Sequence, residues 1–139
     1  KIIIWIRYYS HREKKEHTLI TSIVVDDDFD TVEVFSEYLE LKGIHVVGKG
    51  YNGKDAVDLY QKLKPDVVFL DVLMPEYDGF YALEKIRQIN PDSKVIMVTA
   101  SLTAETEDKL NELNASSIIY KPYDMDEVVK TVKRILKQS

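Results

Sequence analysis

Four short apolar runs, each closed by a chemically useful side chain, constrain this 139-residue chain more than any other feature. Ile23-Val24-Val25 runs into Asp26 and Asp27. Val67-Val68-Phe69-Leu70 runs into Asp71. Val95-Ile96-Met97-Val98 ends on Thr99, and Ile118-Ile119-Tyr120 ends on Lys121, which precedes Pro122. Continuous apolar runs of this length suit strands buried on both faces, as in a parallel sheet. Ligands of such sheets bind beyond the carboxyl ends of the strands. The acids, the hydroxyl and the lysine are therefore expected to converge on one edge of one sheet.

Helical patterns alternate with these strands. The spacing predicts strands over 22–26, 44–49, 66–70, 94–99 and 117–120. It predicts helices over 30–42, 53–63, 80–89, 104–114 and 125–137. Val34, Phe35, Tyr38 and Leu39 form the expected buried face of the first helix, with Gly43 just past its end. Ala56, Leu59, Tyr60 and Leu63 share a face of the second. Asn90-Pro91 stops the third. The fourth is polar, with Leu110 and Leu113 as anchors. Asp124 and Glu127 give the fifth a capping-box pattern. Five such units in series predict an α/β fold: a doubly wound, five-stranded parallel sheet with helices on both faces. Strand order is not encoded in periodicity.

Bulk properties bound the function. The length suits one domain, and 45% apolar with 31% charged residues fits a soluble globular protein. A net charge of −5 argues against direct nucleic-acid binding, which needs a basic surface. With no cysteine, disulfides, thiolate metal sites and cysteine nucleophiles are excluded. No apolar stretch has the length of about 20 residues that a membrane span needs. Residues 1–20 stand apart, with an Ile-rich start and a charge-dense stretch after it. They read as an extension of uncertain origin that packs loosely, rather than as the end of a membrane helix.

Three carboxylates suit a hard cation such as Mg2+, and a hydroxyl and an ammonium beside them suit a phosphoryl group. Alone, the adjacent pair Asp26-Asp27 is ordinary negative charge near a helix start, and Lys121 an ordinary surface lysine. Asp71 says more. An acid directly after Val-Val-Phe-Leu is costly to bury unpaired, so it needs cations nearby.

Taken in order, these motifs resemble the receiver domain of two-component response regulators. The residues that carry the resemblance are Ile23 to Asp28, the stretch from Asp71 through Met74-Pro75 to Gly79, Val98-Thr99-Ala100 and Tyr120-Lys121-Pro122. It covers nearly everything after the extension, so residues 21–139 are expected to be one receiver domain. The family fold is flavodoxin-like, with strand order 2-1-3-4-5.

The resemblance implies a role for each residue. Asp71 would accept a phosphoryl group from a phosphohistidine on a sensor histidine kinase. Asp27, Asp71 and the backbone carbonyl of Leu73 would bind Mg2+ directly, and Asp26 mainly through water. Lys121 would pair with Asp71 and then with the phosphoryl oxygens. Thr99 and the N–H of Ala100 would hold the phosphoryl group. A face made of the fourth helix, fifth strand and fifth helix would then engage a downstream protein in the cytoplasm. Such a module is a phosphoacceptor rather than an enzyme. Three positions depart from the family pattern. Ile118 stands where the switch residue is usually aromatic, with Tyr120 two residues on and pointing to the same side. Leu73 and Ser101 stand where polar or charged groups assist hydrolysis. Other readings are the receiver segment of a hybrid kinase or DNA-binding regulator, and a Mg2+-dependent phosphatase using Asp26-x-Asp28.

Overall fold

A computed structural model describes residues 19–137. The expected N-terminal extension therefore lies, up to residue 18, outside the described residues. Five strands, β1 (Ile20–Val25), β2 (Ile44–Gly50), β3 (Val67–Asp71), β4 (Val95–Thr99) and β5 (Ser117–Tyr120), alternate with five helices. The helices are α1 (Phe29–Leu41), α2 (Gly53–Leu63), α3 (Gly79–Ile89), α4 (Ala104–Glu112) and α5 (Met125–Lys137). All neighbouring strands run parallel in the order β2-β1-β3-β4-β5. The chain thus winds outward from β1 in one direction and returns for β3, β4 and β5. A switch point falls between β1 and β3, where a crevice is expected.

Strand alternation divides the core in two. Ile23, Val25, Val68, Leu70, Val95 and Met97 pack beneath α2, α3 and α4 with Ala56, Leu83, Ile86 and Leu110. Val24, Val67, Phe69, Ile96, Val98 and Ile119 face the other way, against Phe35 and Leu39 of α1 and Val128, Val132 and Ile135 of α5. Each such side chain contributes roughly 1.5–3 kcal/mol when fully buried. Phe35 meets Phe69 edge to face at 5.0 Å. Burial on both faces is why the strands read as unbroken apolar runs.

Some local expectations differ from the structure. β1 starts at Ile20, two residues before the expected 22, and the β1–β2 register slips after Ser22, where Ile23 meets Gly48. On α1 the buried stripe is Val32, Phe35, Ser36 and Leu39. Val34 and Tyr38 lie on the next face round and are each 48% exposed. Three- and four-residue steps fit both stripes, so spacing alone did not separate them. α4 ends two residues early, leaving Leu110 as its buried residue. Asp124 accepts the N–H of Asp126, not of Glu127, so the simple cap replaces the expected box.

Two glycines set the backbone around the sheet edge. Gly79 donates its N–H to Val72 O at 2.8 Å. A Cβ there would stand 2.1 Å from Asp71 O. Gly53 donates to Tyr77 O at 2.6 Å, and its Cβ would stand 2.4 Å from Asp78 O. Only residues without a side chain let the start of α2 and the start of α3 close on the loop after β3.

Candidate functional site

The register of the sheet arranges the site as steps. Asp71 of β3 lies opposite Val98, one residue short of Thr99. Thr99 lies opposite Tyr120, one residue short of Lys121. Asp26 directly follows Val25, which lies opposite Leu70. Four strands thus deliver their polar ends to one edge. The structure brings Asp26, Asp27 and Asp71 together, with one carboxylate oxygen of each within 4.8 Å of the others. Lys121 completes the cluster. Its Nζ is 2.9 Å from Asp26 Oδ2 and 3.8 Å from Asp71 Oδ1. The tighter pairing is therefore with Asp26, where the sequence reading placed Asp71. The Lys121–Pro122 peptide bond is cis.

Neighbouring backbone groups fix the carboxylates. Asp26 Oδ1 accepts the N–H of Asp28 at 2.9 Å. Asp71 Oδ1 accepts the N–H of Val72 at 2.9 Å. Val72 escaped the sequence reading, because a backbone donor leaves no trace in residue type. Thr99 is buried and its Oγ1 accepts the N–H of Ser101 at 3.0 Å. Ala100 is exposed at the rim. Leu73 is 63% exposed, so its side chain stands out from the loop while its carbonyl belongs to the backbone beside Asp71.

The electrostatics follow from burial. Asp71 is pushed up from 3.8 to about 6, first by burial and then by the charge of Asp26. Lys121 and the Val72 N–H pull the other way and are outweighed. Asp27 is also raised, by partial desolvation and by Asp26. Burial pulls the Lys121 ammonium down. Its hydrogen bond to Asp26 and the charge of Asp71 more than compensate, leaving it above its usual value. Three acids thus face one ammonium, and the cluster is short of positive charge. A small divalent cation answers that shortage. With one oxygen of each within 4.8 Å of the others, Asp26, Asp27 and Asp71 would suit a small oxygen-liganded cation such as Mg2+, directly or through water.

Comparison with known proteins agrees with this geometry. Residues 23–133 match the family described as response regulator receiver domain. Protein CcdB of Bacillus subtilis (strain 168) is 36% identical over 118 residues, 84% of this chain and 98% of that protein. Chemotaxis protein CheY of Thermotoga maritima is 30% identical over 115 residues, 83% of this chain and 96% of that protein. Among solved structures, the CheX-CheY-BeF3-Mg+2 complex from Borrelia burgdorferi aligns with a TM-score of 0.79 at 26% identity, covering 84% of this chain and 88% of that one.

Proposed function

The chain belongs to the response regulator receiver family, and on that premise we propose that it is the phosphoacceptor module of a two-component phosphorelay. Asp71 takes a phosphoryl group from a phosphohistidine of a sensor histidine kinase. The observation that carries this reading is the convergence of three carboxylates around the end of β3, with Lys121 Nζ 3.8 Å from Asp71.

Val72 and Lys121 engage Oδ1 of Asp71, so Oδ2 is the attacking oxygen. An O–P bond forms there as the N–P bond of the donor breaks, and the imidazole leaves with the electron pair and takes a proton. Phosphoryl transfer asks for alignment and for charge on the equatorial oxygens to be neutralised. Lys121 supplies one positive charge from its place between Asp26 and Asp71. Asp27, Asp71 and the Leu73 carbonyl would hold Mg2+. Asp26 would hold it mainly through water, since both its oxygens already have partners at 2.9 Å. Held there, the ion would supply the Lewis-acid charge that the acids otherwise deny an incoming phosphate. Thr99 Oγ1 and the Ala100 N–H are the remaining donors to the phosphoryl oxygens. The product is an aspartyl phosphate, a covalent state that is read out rather than turned over.

The readout face consists of α4, β5 and α5, and its partner is a downstream protein. Among the described residues no helix is long and apolar enough to cross a membrane. A cytoplasmic place of action belongs to the same proposal, because the kinase's phosphoryl donor, ATP, is there. The test is intact mass after incubation with Mg2+ and acetyl phosphate. Wild type should gain one phosphoryl group and Asp71→Asn none. Full labelling of the Asn variant would remove Asp71 from the role.

A further inference from the structure

Thr99 is tied to α4 by a chain of hydroxyl groups. Its Oγ1 accepts the N–H of Ser101 at 3.0 Å. Ser101 Oγ in turn donates to Thr106 Oγ1 at 3.1 Å. Thr106 Oγ1 also takes a bond from Thr103 Oγ1 at 3.0 Å. Thr103 is the N-cap of α4, and its Oγ1 accepts the Thr106 N–H at 3.2 Å. Four hydroxyls, with the Ser101 N–H linking the first two, thus join the end of β4 to the first turn of α4.

The rest of α4 is held unevenly. Leu110, near its far end, is fully buried. Beyond that end, Arg87 of α3 donates Nη2 to Asn114 O at 2.7 Å and Nε to the same oxygen at 3.0 Å. Toward the near end the ties are polar: the hydroxyl cluster and a hydrogen bond from Tyr120 OH to the Glu107 carboxylate. An element with one apolar anchor and one polar end pivots more easily than it translates. The usual aromatic lever has no counterpart at position 118. Ile118 there packs into the core beneath α2, α3 and α4, and Tyr120 is already engaged with Glu107.

We propose that the state of Asp71 reaches α4 in this protein through Thr99, Ser101 and Thr106, with Ser101 as the positioning residue. The inference rests on the reading of Asp71 as phosphoacceptor and of Thr99 as a contact of the phosphoryl group. A hydroxyl has one donor and two acceptor sites. Thr99 can therefore donate to a phosphoryl oxygen while keeping the Ser101 N–H. Movement of Thr99 toward Asp71 then draws Ser101 with it, and the Ser101 hydroxyl must either pull Thr106 or let it go. Either outcome changes the cap that satisfies the first free N–H groups of α4. A local charge change thereby biases a two-position element.

The experiment uses the full chain with Mg2+ and acetyl phosphate, reading intact mass together with amide hydrogen exchange over residues 104–112. Wild type should gain one phosphoryl group and change its exchange in α4. Ser101→Ala keeps the N–H that reaches Thr99 and loses the hydroxyl that reaches Thr106. Thr106→Val keeps the volume and loses the acceptor. Both should gain the phosphoryl group as wild type does. Their exchange response in α4 should fall about fivefold, the weight of one neutral hydrogen bond. Ser101→Thr, which restores a hydroxyl, should recover it. Normal labelling with an undiminished response in both deletion variants would overturn the relay and leave Asp71 standing. So would a response that stays lost in Ser101→Thr while that variant labels normally. No mass gain in wild type would instead overturn the phosphoacceptor reading, and the relay with it.

Discussion

Lys121 Nζ sits 2.9 Å from Oδ2 of Asp26, closer than its 3.8 Å approach to Asp71. The lysine neutralises Asp26 first and leaves Asp71 only partly compensated. That is consistent with Asp71, whose carboxyl stays raised even with an ammonium beside it.

This placement makes Lys121 a competitor of the cation as well as its ally. An ammonium and a divalent ion held by the same carboxylates would repel each other by roughly 1–2 kcal/mol even at the dielectric of water. Lys121→Met should therefore bind Mg2+ about tenfold more tightly, by that estimate, while phosphoryl uptake from acetyl phosphate slows. Isothermal titration and intact-mass time courses read the two effects separately. Weaker Mg2+ binding in the variant would show that Lys121 organises the acids more than it repels the ion.

Asp71 also predicts a pH dependence. Its folded value, about 6, lies above its ordinary 3.8, so the fold favours the protonated carboxyl. The stability this group contributes is full below about pH 3.8 and is lost as pH rises through about 6. The difference corresponds to about 3 kcal/mol. Metal-free protein should thus lose stability across that window relative to Asp71→Asn, and Mg2+ should restore it by taking the proton's place. Mg2+ affinity should fall as pH drops below about 6 for the same reason. Urea melts of both proteins across pH, with and without Mg2+, check the sign. Parallel wild-type and Asn curves without metal would contradict it.

The strands were legible because both-face burial writes itself as an unbroken apolar run, and Asp26, Asp71, Thr99 and Lys121 because each stands at the end of one; Leu73 and Ala100 came only through family resemblance. Strand order came only through family resemblance. What sequence could not supply is lateral. Asp26 and Asp71 are both plausible partners for Lys121 until the side chains are placed. Val34 and Tyr38 fit a buried stripe by spacing, yet the sheet meets Val32, Phe35 and Leu39 instead. The links from Thr99 to Thr106 involve hydroxyls common in any loop, and only their distances connect them. Gly53 entered the sequence analysis only as the first residue of the helix expected over 53–63. Its reason, the Tyr77 carbonyl 2.6 Å away, lies in another loop.

Ser36 is buried on the core side of α1, and among the described residues its Oγ has no hydrogen-bond partner. An unpaired buried hydroxyl costs roughly 1–3 kcal/mol, and alanine is the better helix former. Ser36→Ala should raise stability by about 1 kcal/mol, with phosphoryl uptake unchanged. The midpoint of urea unfolding measures it, and a drop would mean that the hydroxyl has a partner in solution.

Leu73 bears on how long the phosphorylated state lasts. It lies two residues beyond Asp71 with its side chain 63% exposed, outside the core. Hydrolysis needs a water in line with the O–P bond and oriented by hydrogen bonds. The Leu73 side chain has neither donor nor acceptor with which to orient one. Ser101, on the opposite rim, carries no charge and spends its hydroxyl on Thr106. An aspartyl phosphate here should therefore be long-lived until another protein removes it. Leu73→Asn supplies a polar group without disturbing the core, and should speed decay in Mg2+ buffer about tenfold, the effect of one well-placed hydrogen bond. The loss of labelled protein over time, followed by intact mass, gives the rate. If the Asn variant decays no faster than wild type, the slow step lies elsewhere in the site, and Leu73 is not the brake.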